Sequence, residues 1–202
     1  MNLAAAWAVL FGLAAWGGVV AGGALCSGRV AAADGPRPIV PASWAFPLAG
    51  AAVGCALALQ GEPVMRLGLL GFVVFGLAGC TVADLRCGML PDLLTLAPLA
   101  VVVGAGAFAR DPAPALGAAL VAIPFAGLAL FSHGRGMGWG DVKLAALGGA
   151  LLGAPDAAFA FAFAAAAAYL TARRTGRTRE PVAFGPYLAG SIVAMLAVAP
   201  AG

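Results

Sequence analysis

An all-α membrane protein, built as a polytopic bundle of about eight hydrophobic segments, is the fold class this sequence predicts. Of its 202 residues, 63% are hydrophobic and only 9% are charged, whereas a soluble globule carries roughly a quarter of its residues as Asp, Glu, Lys or Arg. Mean hydropathy is +1.01. Apolar stretches recur along almost the whole chain, with only short polar connectors between them. These three observations exclude a soluble domain and leave one integral-membrane domain over residues 1–202.

At about 20 residues per span, the segments fall at roughly 3–25, 44–60, 67–83, 93–109, 115–131, 142–153, 155–171 and 183–199. The first could be taken for a secretory signal. It has no basic n-region, exceeds an ordinary h-region and is followed at once by further spans, so a retained helix is expected. The sixth is too short to cross comfortably: at about 1.5 Å per residue it covers about half of a ~30 Å hydrocarbon core. It is expected to be a short buried or partly re-entrant helix shielded by its neighbours. Gly18 with Gly22, Gly50 with Gly54, Gly149 with Gly153, and the run Ala164 to Ala168 supply small residues that let membrane helices approach closely.

Lys and Arg favour the cytoplasmic side of short loops. With the N-terminus outside and eight crossings, Arg29, Arg37, Arg86, Arg135, Lys143, Arg173, Arg174, Arg177 and Arg179 lie inside and Arg66 and Arg110 outside, nine against two. Without a crossing at the sixth segment the loop from Arg173 to Arg179 would move outside and the bias would weaken. The charge pattern therefore favours a crossing there.

The formal charge of +3 is explained by this topology. No basic run is long enough, or interleaved with aromatics, to form a nucleic-acid groove. Cys26, Cys55, Cys80 and Cys87 form no Cys-x-x-Cys pair and His133 is the one histidine, which indicates free thiols, no metal site and no disulfide framework.

Eight carboxylates exist in the chain. Asp34, Glu62, Asp111 and Asp156 sit in connectors among Pro and Gly and are expected to be solvated turn residues. Glu180 faces a run of arginines. Asp92, after Pro91 at the start of the fourth span, is expected to cap free backbone N–H groups. Asp84 ends the third span, where the helix dipole disfavours an acidic residue. Asp141 opens the sixth, behind Gly136, Met137, Gly138, Trp139 and Gly140. The topology puts Asp84 and Asp141 at the same cytoplasmic rim, although they are 57 residues apart. Such a pair can hydrolyse an amide: one carboxylate takes a proton from water while the other, protonated, polarises the scissile carbonyl and protonates the leaving nitrogen. Repulsion and desolvation keep one proton on the two together. Gly138 and Gly140 would let an extended substrate approach, in dihedrals closed to other residues.

The stretch Asp84-Leu85-Arg86-Cys87-Gly88-Met89-Leu90-Pro91-Asp92-Leu93-Leu94-Thr95 resembles the first aspartate motif of the type IV prepilin peptidases, the GxGD-type membrane aspartyl proteases. Gly138-Trp139-Gly140-Asp141-Val142-Lys143-Leu144 resembles their second motif, continued by Ala146-Leu147-Gly148. Phe184-Gly185-Pro186-Tyr187-Leu188-Ala189 resembles the opening of their last helix. The likeness runs from about Leu67 onward, with a peptidase-like core at 67–199. It implies that Asp84 and Asp141 are the catalytic dyad, with Gly138, Gly140, Lys143, Pro91 and Asp92 as supporting motif positions. It also implies a prepilin or pseudopilin substrate, cut at the cytoplasmic face of a bacterial inner membrane as part of type IV pilus assembly or protein secretion.

Long members carry a cytoplasmic domain with paired Cys-x-x-Cys motifs and methylate the new N-terminus. Here the connector from about Cys26 to Ser43 is short and has no such pairs. A short form is therefore expected, cutting without methylation, binding no cofactor, and similar to the enzymes that process Flp-type pilins. Lys143 reads as a headgroup anchor, with tuning the dyad or meeting substrate as the alternatives; Arg86 and Arg135 read as topology determinants, His133 as a solvated loop residue, and Gly185 and Pro186 as the start of the last helix. A proton-coupled transporter and a non-enzymatic assembly protein are the alternatives from other classes. The first calls for carboxylates near mid-bilayer and repeat-related halves, and the second for tolerance of Asp84→Ala with Asp141→Ala. Oligomeric state and the protonated member of the pair stay open at this level.

Overall fold

The computed structural model describes residues 2–30, 44–131, 137–176 and 183–198. The sequence positions Asp34, Arg37, His133, Arg135, Gly136, Arg177, Arg179 and Glu180 lie outside them. Among the described residues there are seven helices and no strand: α1 (Leu3–Val30), α2 (Ala45–Leu59), α3 (Val64–Cys87), α4 (Asp92–Phe108), α5 (Ala113–Phe131), α6 (Trp139–Arg174) and α7 (Gly185–Val198). Leu3–Ser27 of α1, and α3, α5 and α6 in full, are long and apolar enough to cross a membrane. The others are shorter apolar helices of 15, 17 and 14 residues.

Two compact units divide the chain, Met1–Leu94 with Val193–Gly202, and Thr95–Ile192. In the first, α1 packs on both α2 and α3. Glycines set the contacts, because a side chain there would strike the neighbouring backbone. A methyl group built on Gly18 would collide with the Phe75 carbonyl, and one on Gly22 with that of Gly79. Cys26 Sγ lies 3.7 Å from Ala83 O. Contacts at 18, 22 and 26 thus meet 75, 79 and 83, a constant offset over two turns, so α1 and α3 run parallel. The order reverses on α2: a methyl on Gly12 would stand 3.1 Å from Pro47 O, one on Gly50 2.6 Å from Phe11 O, and one on Gly54 2.7 Å from Trp7 O. The three helices therefore run up, down and up, around Phe11, which is wholly buried.

At the α2–α3 turn the sequence expectation needs correction. Glu62 is not a solvated turn residue; it is buried and pairs with Arg66 at 3.3 Å, one helical turn on. The reason is the entry into α3: Pro63 is extended ahead of the helix (φ −60°, ψ 144°), and Arg66, in the first turn, reaches back over the carboxylate while its own side chain stays partly in solvent. Gln60 Nε2 donates to Ala197 O at 2.9 Å, satisfying a carbonyl at the end of α7.

In the second unit α4 and α5 are joined by a tight turn. Arg110 adopts φ 58° there, and the Asp111 carboxylate accepts the Ala113 N–H at 2.9 Å. Gly117 of α5 and Gly149 of α6 approach so closely that a methyl on either would strike the other's carbonyl. The expected sixth and seventh segments are continuous as α6, 36 residues long, but Gly153 breaks it at φ 76°, ψ 165°. Only glycine adopts that conformation cheaply. Gly148 meets Phe161 across the break, whereas residues 13 apart in a straight helix would be about 20 Å distant. The two arms of α6 therefore fold back on each other. Phe161 also packs edge-on against Phe125 at 5.5 Å. Along the first arm every residue from Val142 to Ala150 except Lys143 is buried, as expected for a short helix shielded by protein.

Candidate active site

Asp84 belongs to the last turn of α3 and is 7% exposed, between Ala83, which has no exposed surface, and the half-buried Leu85. The turn ends where it does because Gly88 takes the left-handed conformation, φ 60°, and its N–H donates to Asp84 O at 2.9 Å. Three residues later Pro91 closes the loop. Its carbonyl accepts the Leu94 N–H at 3.0 Å, and Asp92 stands exposed in the first turn of α4. Thr95, the next polar side chain on α4, is wholly buried.

Asp141 occupies the third position of α6. Its Oδ2 accepts the N–H of Gly138, the N-cap, at 3.3 Å. This is half of a capping box, because glycine has no side chain with which to return the bond. Asp141 Oδ1 is buried and has no hydrogen-bond partner among the described residues. A buried carboxylate oxygen left unpaired is costly and marks a place where a proton, a water or a ligand group is to be received.

The glycines beside Asp141 do not use forbidden dihedrals. Gly138 is extended at φ −81°, ψ 153°, and Gly140 lies within the first turn of α6; the left-handed glycines among the described residues are Gly61, Gly88, Gly153 and Gly176. Any L-residue could adopt the Gly138 backbone, so the value of these glycines is the space they leave at the mouth of α6. A methyl on Gly138 would come within 3.6 Å of Asp141 Oδ2. Lys143 follows Asp141 by two positions on a helix, which sends the two side chains to different faces. Trp139 is 53% exposed at the helix start, as an aromatic at a membrane interface would be.

The site residues thus form two local groups. Asp84, Pro91 and Asp92 cluster at the α3–α4 junction of the first unit, and Gly138, Gly140, Asp141 and Lys143 at the opening of α6 in the second. Among the described residues no group of three metal-ligating side chains occurs.

The cysteines depart from expectation. Cys26 and Cys87 are joined as a disulfide, with Cα atoms 6.2 Å apart, while Cys55 and Cys80 remain free. The parallel packing of α1 on α3 causes this. Cys26 continues the four-residue stripe of Gly18 and Gly22, and Cys87 lies one turn beyond Ala83 on the facing helix. The stripe at 18, 22 and 26 was a sequence signal for it, readable only once the partner helix is known.

A model of the type IV leader peptidase family matches residues 71–172, a span that contains both aspartates. Two proteins described as prepilin leader peptidase/N-methyltransferase, from Burkholderia pseudomallei strains 1026b and K96243, are each 39% identical over 160 residues. The alignment covers 73% of this chain and 51% of each of theirs, so the chain spans about half the length of the curated relatives it matches. No solved structure matches it.

Proposed function

Because the chain belongs to the type IV leader peptidase family, we propose that it is a membrane aspartyl endopeptidase that removes the leader from prepilin-like precursors at the cytoplasmic face of the inner membrane. The observation that carries the proposal is Asp141, a carboxylate at the mouth of a buried helix with one oxygen held by Gly138 N–H and the other unpaired. Together with Asp84, nearly buried at the end of α3, it supplies the two carboxyl groups that amide hydrolysis without metal or nucleophile needs.

The helix ends divide the work. Asp141 sits where the α6 dipole is positive, which suits the carboxylate that takes a proton from water; Asp84 sits where the α3 dipole is negative, which suits the carboxyl that keeps the shared proton. Asp84 then donates toward the scissile carbonyl while the water attacks. As the tetrahedral intermediate collapses, Asp84 protonates the leaving nitrogen, and the proton that Asp141 took from the water stays on the pair as the one they share. Gly138 and Gly140 leave room for the extended leader.

The cytoplasmic assignment rests on the nine-to-two distribution of Lys and Arg over eight crossings. The folded-back arms of α6 suit the crossing which that distribution favours at the sixth segment. A site on that face reaches a leader that never leaves the cytoplasm. The connector between α1 and α2 is short and has no Cys-x-x-Cys pair, which supports cleavage without methylation and a small, Flp-type pilin as substrate.

Co-expression with a small prepilin from the same genome, followed by intact-mass measurement of the pilin, tests both parts. The expected product lacks its leader and carries a free, unmethylated amino terminus. A pilin that keeps its leader overturns the peptidase reading, and a methylated product overturns the restriction to cleavage.

A further inference from the structure

We propose that Cys26 and Cys87 form a thiol/disulfide switch that controls access to Asp84, an inference that rests on the peptidase reading above. Cys87 follows Asp84 by three residues, so the two share a face of the last turn of α3. Cys26 lies opposite on α1, 1% exposed, its sulfur 3.7 Å from the carbonyl of Ala83, the residue before the aspartate. The Cα atoms of the two cysteines are 6.2 Å apart, within the span a disulfide bridges without backbone movement. Glycine contacts at 18 and 22 fix that register, so the pair is set by helix packing over two preceding turns.

The topology argued above puts this end of α1 and α3 on the cytoplasmic side. Stable disulfides are rare there, and those that form are commonly transient or redox-sensing. The dithiol is accordingly the resting state, and the joined pair the state reached under oxidation. In the joined state the last turn of α3 is tied to α1 and Asp84 is only 7% exposed. A peptide bond has to reach that carboxyl. Releasing the tether frees the turn that carries it, so the reduced form is the active one.

The chemistry balances with a low-molecular-weight disulfide such as oxidised glutathione as oxidant. The half-buried Cys87, as thiolate, attacks one sulfur of the oxidant; the S–S bond breaks, one glutathione thiolate leaves and takes up a proton, and a mixed disulfide remains. The Cys26 thiol, losing its proton to solvent, attacks Cys87 sulfur and expels the second glutathione. Two electrons pass from the pair to the oxidant, which ends as two thiols.

The test treats membranes carrying the full chain with oxidised glutathione or with dithiothreitol, then measures maleimide-reactive cysteines after denaturation alongside cleavage of a co-expressed prepilin. For the wild type, oxidation is expected to lower the reactive count from four to two and to slow cleavage several-fold, both reversed by dithiothreitol. Cys87→Ser, at the more exposed position, and Cys26→Ala are expected to cut at the reduced wild-type rate under both conditions. Four reactive cysteines in oxidised wild type overturn the switch, as does equal oxidative slowing in the wild type and both variants. Absence of cleavage by reduced wild type, with the count still falling to two, overturns the peptidase reading and leaves the link itself established.

Discussion

Asp141→Asn is expected to reduce prepilin cleavage by about 10²–10⁴-fold, and Asp84→Asn by a similar factor. Asparagine nearly preserves the size of the side chain and can still accept the Gly138 N–H that Oδ2 now accepts, so the chain should reach the membrane in normal amount. What is lost is the titratable proton. If the two carboxyls act as one unit, the double variant should be little worse than either single one, because removing either member already disables the unit. Gel mobility of a co-expressed prepilin, compared at equal membrane abundance, reads all three. Independent, multiplying losses would indicate that the residues act separately.

The second large effect is structural. Gly22→Leu is expected to separate α1 from α3, since any side chain at Gly22 would collide with the carbonyl of Gly79 and backbone cannot swing aside as a flexible side chain can. Overpacking of a well-packed contact costs about 1–3 kcal/mol where side chains can adjust, and more where they cannot. Gly68→Leu is the control, because nothing lies within 4 Å of a methyl at Gly68. The Gly22 variant should lose thermal stability in detergent and fail to form the Cys26–Cys87 link, while the Gly68 variant keeps both. Equal stability of the two would show that the close α1–α3 approach does not hold the first unit together.

What could be read from the sequence was local. The gap between the segments at 142–153 and 155–171 falls at the break in α6, Pro91 precedes the start of α4 at Asp92, and the Gly138–Asp141 tetrapeptide opens α6, because each acts through the backbone of its own few residues. Asp84 at a helix end and Asp141 at a helix start followed from the same punctuation. The disulfide depends on neighbours distant in sequence. Nothing local says that α1 runs parallel to α3, so the stripe at 18, 22 and 26 gave no reason to join Cys26 to Cys87, and free thiols were expected instead. Glu62 looked like a solvated turn residue because its connector is rich in Gly and Pro; its burial against Arg66 depends on how the first turn of α3 is covered. Residue type alone suggests that the glycines before Asp141 can use dihedrals closed to other residues, whereas the positive-φ glycines among the described residues are Gly61, Gly88, Gly153 and Gly176, each where a helix ends or breaks.

The most direct test of the dyad is a cross-link between its two positions. In a chain whose four native cysteines are replaced by Ala, Asp84→Cys and Asp141→Cys are combined and treated in membranes with a mild oxidant and with a short bifunctional thiol reagent, and the linked chain is detected by mass spectrometry. Two carboxyls that share a proton stand within hydrogen-bond reach, so efficient linking within one chain is the expected result, with Asp92→Cys paired to Asp141→Cys linking less. No link between 84 and 141 under either reagent would contradict a joint active site.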